Sequence, residues 1–250
     1  MTAEIIVERD IGVITVTINR PHKKNALTSA MYEAMIEALD AAEASEDIAA
    51  VVLRGAGGVF TAGNDIANFL EAANADESCA MAAFAFIRRI ASFDKPLIAA
   101  IEGLAIGIGA TLCLHCDFVY AAPGTQFAMP FVKLGIPPEG AATLLAPQRF
   151  GARAGEMLLL GEPFSAEAAE AMGFITGVVS VERLYAHAAE RAAALVRQPR
   201  QALLAARRLM RGDHAAILAR IDEEARQIRL AVRSPEAKAA FAAFLARGKT

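Results

Sequence analysis

The sequence predicts an α/β fold followed by a C-terminal helical region, and three observations support this. Short apolar runs alternate with segments of helical periodicity over residues 1–181. Glycine-rich turns at 55–63 and 103–109 each follow a strand-like run and precede a helix. From about residue 181 the chain becomes alanine-rich and helical in pattern. We therefore expect a core over residues 1–181 and a helical region over residues 182–250.

The first part of the chain predicts a hairpin, a helix and a buried strand. Apolar and threonine side chains alternate over residues 13–19, which is typical of a half-buried strand, and residues 5–8 are its expected hairpin partner. Thr28 or Ser29 is expected to cap the next helix. The apolar residues of that helix fall at helical spacing: Met31, Tyr32, Met35, Ile36, Leu39 and Ala42. Residues 50–53 predict a short buried strand.

Helices and strands continue to alternate through the middle of the chain. A helix over residues 72–94 precedes the strand PLIAAI. Further strands are expected at DFVYAA, Phe127–Met129 and FITGVV. One helix is expected to open near residues 140–145, and Ser165 is expected to cap another. Three residues are expected to divide the C-terminal helical region: Pro199, Gly212 and Pro235.

The composition argues against several classes of function. Hydrophobic residues make up 55% of the 250 residues, which is enough for a sizeable core. No apolar run reaches the roughly 18 residues of a membrane span, and the N-terminus lacks a signal-peptide pattern. A net charge of −3 with interspersed signs gives no support for nucleic-acid binding. Three cysteines, an odd number, favour reduced thiols and a cytoplasmic location.

Residues 100–117 are the stretch around which the chain is organised. Glycines at 103, 107 and 109 separate a strand-like run from an apolar helix. A helix N-terminus behind such a turn presents unpaired N–H groups and the positive end of the helix dipole. It can therefore hold a phosphate, a carboxylate or a developing oxyanion, although a turn that only packs is the alternative. The glycine spacing is not the GxGxxG of dinucleotide-binding folds.

Cys113, His115 and Cys116 could be interpreted as a metal or redox site. Both cysteines lie in the apolar helix and no second pair of ligands is present, so packing as small hydrophobic residues is favoured. We expect His115 to be a hydrogen-bonded core histidine and expect no metal.

The two glycine turns could aim two backbone N–H groups at one point and so form an oxyanion hole. Such a site usually also needs an acid or a base, and Glu139 is the best candidate. Its loop is apolar, with no Lys or Arg within five residues, so burial would raise its pKa toward the working pH. The alternative is a glutamate that only stabilises a helix start. Glu102 and Asp117 are more typical of solvated or capping carboxylates, and no GxSxG motif supports a hydrolase triad.

Five segments in order resemble the crotonase, or enoyl-CoA hydratase/isomerase, superfamily. They are NRPHKKNAL, GGVFTAGNDIANF, DKPLIAAIEGLAIGIGATLCLHCDFVYAA, FAMPFVKLGIPPEG and GEPFSAEAAEAMGFITGVV, within roughly residues 5–182. The resemblance implies a crotonase-like spiral of ββα units with a C-terminal helical region that assembles a homotrimer or a dimer of trimers. It implies an acyl-coenzyme A thioester as substrate and no separate cofactor.

The resemblance also implies roles for individual residues. The oxyanion hole would consist of the backbone amides of Asn64 and Ile108. The positions that contact coenzyme A would be Lys23, Lys24, Ala26, Ala62, Asp65 and Ile66. The two glutamates of typical hydratases are replaced here by Thr111 and Phe131, which would contact the substrate instead.

The replacement of the two hydratase glutamates favours one branch of the superfamily. A single carboxylate at Glu139 resembles the peroxisomal-type Δ3,Δ2-enoyl-CoA isomerases, in which one glutamate in this loop moves the proton. Two alternatives remain open. One is hydration or another crotonase reaction with atypical residues, and the other is an acyl-CoA-binding protein without catalysis.

Overall fold

The fold is seen in a computed structural model that describes residues 3–67 and 78–247. Within these ranges two β-sheets are present, and their strands are numbered here in chain order. The larger sheet has the order β1 (Ile5–Asp10), β2 (Val13–Ile18), β3 (Ala50–Gly55), β4 (Leu97–Ile101), β6 (Phe118–Ala121) and β9 (Gly177–Val178). The smaller sheet has the order β5 (Leu104–Ile106), β7 (Gln126–Ala128) and β8 (Phe164–Ser165).

The larger sheet follows from the strand patterns. The hairpin is confirmed: β1 and β2 pair antiparallel from Ile5 opposite Ile18 to Asp10 opposite Val13. From β2 onward the neighbouring strands are parallel. All five residues of β4 are buried, as expected for a parallel strand with both faces covered, whose sequence is a continuous apolar run.

Helices occur both in the middle of the chain and over its last part. Before residue 181 the described helices are α1 (Ser29–Ala44), α2 (Ser78–Ser92), α3 (Ile108–Thr111), α4 (Ala142–Phe150), α5 (Arg153–Gly155) and α6 (Ala166–Ala171). After it come α7 (Val181–Val196), α8 (Arg200–Arg211), α9 (His214–Ala231) and α10 (Pro235–Arg247). The two expected caps are confirmed, because Thr28 accepts a hydrogen bond from the Met31 amide and Ser165 accepts one from the Ala168 amide.

Several elements differ from the expectation. The helix expected over residues 72–94 is described from Ser78, and residues 72–77 lie outside the described part. The apolar helix after the glycines is shorter than its composition suggests: α3 has one turn and tightens into a 3-10 turn over Leu112–His115. It ends there because the chain must return to the sheet, where the Asp117 amide donates to the Leu97 carbonyl. The strand expected over FITGVV is reduced to the two residues of β9, and the helical segment over 153–160 had no expected counterpart.

The C-terminal helical region packs on the core. Buried side chains of α9 and α10, including Ile217, Ile221, Ile228 and Phe241, belong to the same hydrophobic cluster as the strands of the larger sheet. The division of the chain near residue 181 stays a prediction. Among the described helices, none combines the length and apolar character that crossing a membrane requires.

Candidate active site

The two glycine turns lie side by side. Thr61 forms a parallel bridge with Ala105: its amide donates to the Leu104 carbonyl at 2.9 Å, and its carbonyl accepts from the Ile106 amide at 3.1 Å. Gly63 has φ +91°, and a Cβ there would lie 2.8 Å from the Ile106 carbonyl oxygen. The close approach of the two turns therefore requires glycine at position 63.

Two backbone amides where these turns meet have no acceptor in the part of the chain that the structure describes. The Asn64 amide points away from its bridge to Leu27, since that bridge uses the neighbouring Gly63 carbonyl and Asp65 amide. Ile108 is the first residue of α3, a position whose N–H group has no acceptor within the helix. Within the described residues neither amide donates to a protein acceptor. Both amides are therefore available for an oxygen of a ligand.

Asn64 and Ile108 line one cavity of about 80 Å³. The other described lining residues are uncharged: Ala62, Gly63, Ile66, Ile106, Gly107, Pro130, Phe131, Leu134, Ile136, Phe241 and Phe244. Phe241 and Phe244 come from α10, so the C-terminal helical region forms part of this cavity. Neither of these two aromatic residues was predicted from the sequence.

Glu139 lies beside the helix that begins at Ile108. The Thr111 hydroxyl donates a hydrogen bond of 3.1 Å to Oε1 of Glu139. Gly140, with φ +73°, allows this approach, because a Cβ there would lie 3.1 Å from Cβ of Thr111. Glu139 is 4% exposed and is not among the residues that line the cavity. Its contact with Thr111 places it beside α3, the helix that begins at the cavity-lining residue Ile108.

The environment of Glu139 shifts the pKa of its carboxyl upward. Burial raises the pKa of Glu139 to about 8, the Thr111 hydrogen bond acts in the opposite direction, and the nearby charge of Glu224 raises the pKa further. A carboxyl whose pKa lies near neutrality can both take and return a proton at the working pH.

A second buried carboxylate, Glu224 on α9, was missed in the sequence analysis. It is 4% exposed and accepts hydrogen bonds from the Ala141 amide at 2.6 Å, the Thr143 amide at 3.0 Å and the Thr143 hydroxyl at 2.6 Å. The sequence does carry a signal for it, because position 224 lies on the helix face that also carries Ile217, Ile221 and Ile228.

The positions expected to contact coenzyme A gather around one loop. The Lys24 carbonyl accepts from the Ala62 amide at 2.9 Å. Arg20 connects two further positions, since its Nη1 pairs with Asp65 at 2.7 Å and donates to the Ala26 carbonyl at 3.0 Å. Lys23 and Lys24 are exposed, whereas Ala26, Ala62, Asp65 and Ile66 are half-buried. Thr111 is buried against Glu139, and Phe131 faces the cavity.

The remaining candidates hold the fold together. Nε2 of His115 donates to the Gly140 carbonyl at 2.8 Å, and burial lowers the pKa of His115 to about 3, so the ring is neutral. The expected core histidine is confirmed. Asp117 accepts from the Leu97 amide and pairs with Arg207, and Glu102 accepts from the Tyr185 hydroxyl.

The thiols of Cys113 and Cys116 each donate a hydrogen bond to a carbonyl four residues earlier in the chain. Cys113 donates to the Gly109 carbonyl and Cys116 to the Leu112 carbonyl. Burial raises the pKa of both thiols, which disfavours the thiolate that a metal would need.

Comparison with known proteins identifies the family. Residues 8–250 match the family described as enoyl-CoA hydratase/isomerase. The chain is 36% identical over 243 residues to the 1,2-epoxyphenylacetyl-CoA isomerase of Escherichia coli, covering 94% of this chain and 93% of that protein. It is 34% identical over 225 residues to enoyl-CoA delta isomerase 2 of Rattus norvegicus, covering 88% of this chain but only 57% of the rat protein.

Solved structures support the same assignment. The fold matches OdaA of Pseudomonas aeruginosa with a TM-score of 0.91 at 38% identity, over 97% of this chain and 99% of that one. It matches an enoyl-CoA hydratase/isomerase from Pseudoalteromonas atlantica with a TM-score of 0.92 at 32% identity, over 98% of both chains. The crotonase-like fold expected from the sequence is thereby confirmed. The chain belongs to the enoyl-CoA hydratase/isomerase family of the crotonase superfamily and is an acyl-CoA enzyme of that family.

Proposed function

We propose that this enzyme moves the double bond of a 3-enoyl-CoA thioester to the 2-position, with Glu139 as the acid–base group. The observation that carries the proposal is the contact between Glu139 and Thr111 on α3. That helix begins at Ile108, one of the two residues with a free amide. A single buried carboxyl is therefore brought to the helix that carries an oxyanion donor.

The reaction needs only these groups. The Glu139 carboxylate takes a proton from C2 of the substrate, and the electron pair of the C–H bond moves toward the thioester oxygen. The enolate oxygen is stabilised by the amides of Asn64 and Ile108. The Glu139 carboxyl then returns the proton to C4, and the double bond ends between C2 and C3. The proton is moved within the substrate, so neither water nor an electron acceptor is consumed.

Hydration is supported less well. It requires groups that hold and activate a water molecule, and the positions of the two hydratase glutamates carry Thr111 and Phe131. A protein that only binds acyl-CoA is also less well supported, because burying Glu139 without an opposite charge is unfavourable for folding.

The relatives support the family more strongly than the reaction. The rat protein is named an enoyl-CoA delta isomerase, and this chain spans 57% of its length. A third relative, 31% identical over 248 residues, is named 2,3-dehydroadipyl-CoA hydratase. Both types of activity therefore occur among relatives of similar identity, and the substrate must be tested directly.

Ultraviolet absorbance with 3-enoyl-CoA and 2-enoyl-CoA in parallel separates the alternatives. Growth of the conjugated enoyl thioester band from 3-enoyl-CoA is the expected result. Loss of that band from 2-enoyl-CoA, with no reaction of the 3-enoyl substrate, would indicate a hydratase. Tight binding of both thioesters without a change in absorbance would indicate a protein without catalysis.

A further inference from the structure

The loop that carries Glu139 is hydrogen-bonded to Glu224, which lies on α9, 85 positions later in the sequence. We call this set of hydrogen bonds the clamp. Both oxygens of Glu224 are engaged: Oε2 accepts from the Ala141 amide, and Oε1 accepts from the amide and the hydroxyl of Thr143. These donors lie at the N-terminus of α4, where negative charge is favoured by the helix dipole.

The backbone held by this clamp is strained. Ala141 has φ +55° and is the N-cap of α4, and Gly140 before it has φ +73°. Alanine rarely adopts this left-handed conformation, so it persists only where the surrounding contacts hold it. The Glu224 bond to the Ala141 amide is such a contact, two residues from Glu139.

We propose that Glu224 is a positioning residue that acts through this backbone on Glu139. The inference rests on the proposed acid–base role of Glu139. Residues 140 and 141 turn the chain between Glu139 and α4. If they relax, the carboxyl moves relative to Thr111 and to the amide of Ile108. Such misplacement lowers the rate of a proton transfer more than the affinity for substrate.

Glu224 does not itself carry the proton. It is buried, and three donors occupy its two oxygens. Two further ionisable groups lie close to the loop. Arg220, on the same helix, donates to the Thr143 hydroxyl at 3.0 Å, and His115 is neutral and bonded to the Gly140 carbonyl. Burial is the main cause of the raised pKa of Glu139, and the nearby charge of Glu224 raises that pKa further. Burial also raises the pKa of Glu224 itself, against the effect of its hydrogen bonds from Thr143 and Ala141.

The first variant is Glu224→Gln, which keeps the size of the side chain and removes its charge. Its amide group must also face one of the N–H donors, so at least one bond is lost. The matched control is Glu223→Gln. It removes the same charge from the neighbouring residue, which is exposed and pairs with Arg226.

The titration of Glu139 is measured by carbon-13 nuclear magnetic resonance of the labelled full chain without substrate, with Glu139→Gln identifying the signal. We expect the pKa of Glu139 to fall in Glu224→Gln and to stay unchanged in Glu223→Gln. We also expect isomerase kcat to fall by ~10–100-fold with KM changed less than about twofold. A titration and a kcat that both match the wild type would overturn the proposal.

Two further variants, Thr143→Ala and Glu224→Asp, keep the proposal testable. If Glu224→Gln does not fold, Thr143→Ala removes one bond of the clamp and leaves the carboxylate, and the proposal then requires a lower kcat at unchanged KM. Restoration of kcat toward the wild type by Glu224→Asp, relative to Glu224→Gln, supports the charged clamp. If the wild type fails to isomerise 3-enoyl-CoA, the proposed function fails, while the titration still tests the effect of Glu224 on Glu139.

Discussion

The Thr111 hydroxyl donates to the Glu139 carboxylate at 3.1 Å, across 28 positions of the sequence. Thr111 stands on α3 where typical hydratases are expected to carry a glutamate, so the carboxyl of Glu139 reaches that position from a different loop. Glu139 therefore places one carboxyl group next to α3. The pair of glutamates that holds water in typical hydratases is replaced by Thr111 and Phe131.

Replacing Glu139 with glutamine should remove catalysis and leave binding intact. Glutamine keeps the size and the contact with Thr111 but cannot accept a proton. We expect turnover of 3-enoyl-CoA to fall by ~10²–10⁴-fold, the usual contribution of a general base, while the affinity for acyl-CoA is nearly unchanged. Steady-state kinetics and calorimetry measure the two quantities.

Glu102→Gln is the control for this variant. Glu102 accepts from Tyr185 and lies outside the proposed proton path, so turnover should change less than about tenfold. Near-native isomerase activity in Glu139→Gln would show that another group moves the proton.

The activity should depend on pH through Glu139. Its pKa is raised to about 8 by burial, so the inactive protonated form dominates below that pH in the free enzyme. We expect kcat/KM to rise with pH up to about pH 8 and then to level off. A profile that is flat between about pH 6 and 9 would contradict this assignment.

Glu139 should also make the stability of the fold depend on pH, and stability should fall as pH rises, whereas activity should increase. The folded-state pKa of Glu139 lies above its unfolded-state pKa, so the folded chain binds the proton more tightly. This contribution to stability is fully present below the unfolded-state pKa and is lost as pH rises toward about 8. Thermal unfolding of Glu139→Gln against the wild type should show a smaller decline of Tm over this range. Parallel Tm curves for the two proteins would refute the raised pKa.

The apolar setting of Glu139 could be predicted from the sequence, and so could the glycine turns, the hairpin and both caps. These features depend on local pattern and turn chemistry, which are visible in a short window. The clamp by Glu224 could not be placed in the same way. Periodicity shows that position 224 faces inward, but it does not show which loop α9 covers. The length of α3 was overestimated because the return of the chain to β6 ends it, and that is a tertiary constraint.

Coenzyme A binding should be partly electrostatic. Lys23 and Lys24 are exposed, and the Lys24 carbonyl bonds to the expected contact position Ala62. Changing both lysines to alanine should weaken binding of coenzyme A at low salt, and the difference should shrink at high salt because exposed charges are screened over ~10 Å at 0.1 M. Equal affinity of variant and wild type at low salt would indicate two solvated lysines with no role.

The chain should form a homotrimer or a dimer of trimers. Large apolar side chains are exposed on the C-terminal helical region, with Leu209 and Met210 each 84% exposed and Leu230 59% exposed. Exposed apolar groups of this size favour association. Light scattering should give a mass three or six times that of the 26.4 kDa chain, and a monomer at working concentration would contradict the prediction.

Glu224 holds the Glu139 loop from α9, and Phe241 and Phe244 line the cavity from α10. During translation the sheets and the Glu139 loop leave the ribosome before α9 and α10 exist. A nascent chain can therefore form the two glycine turns early, yet its Glu139 loop lacks the contact with Glu224 until α9 has been made. We therefore expect full activity of the proposed site only once α9 and α10 have been made and have packed on the core.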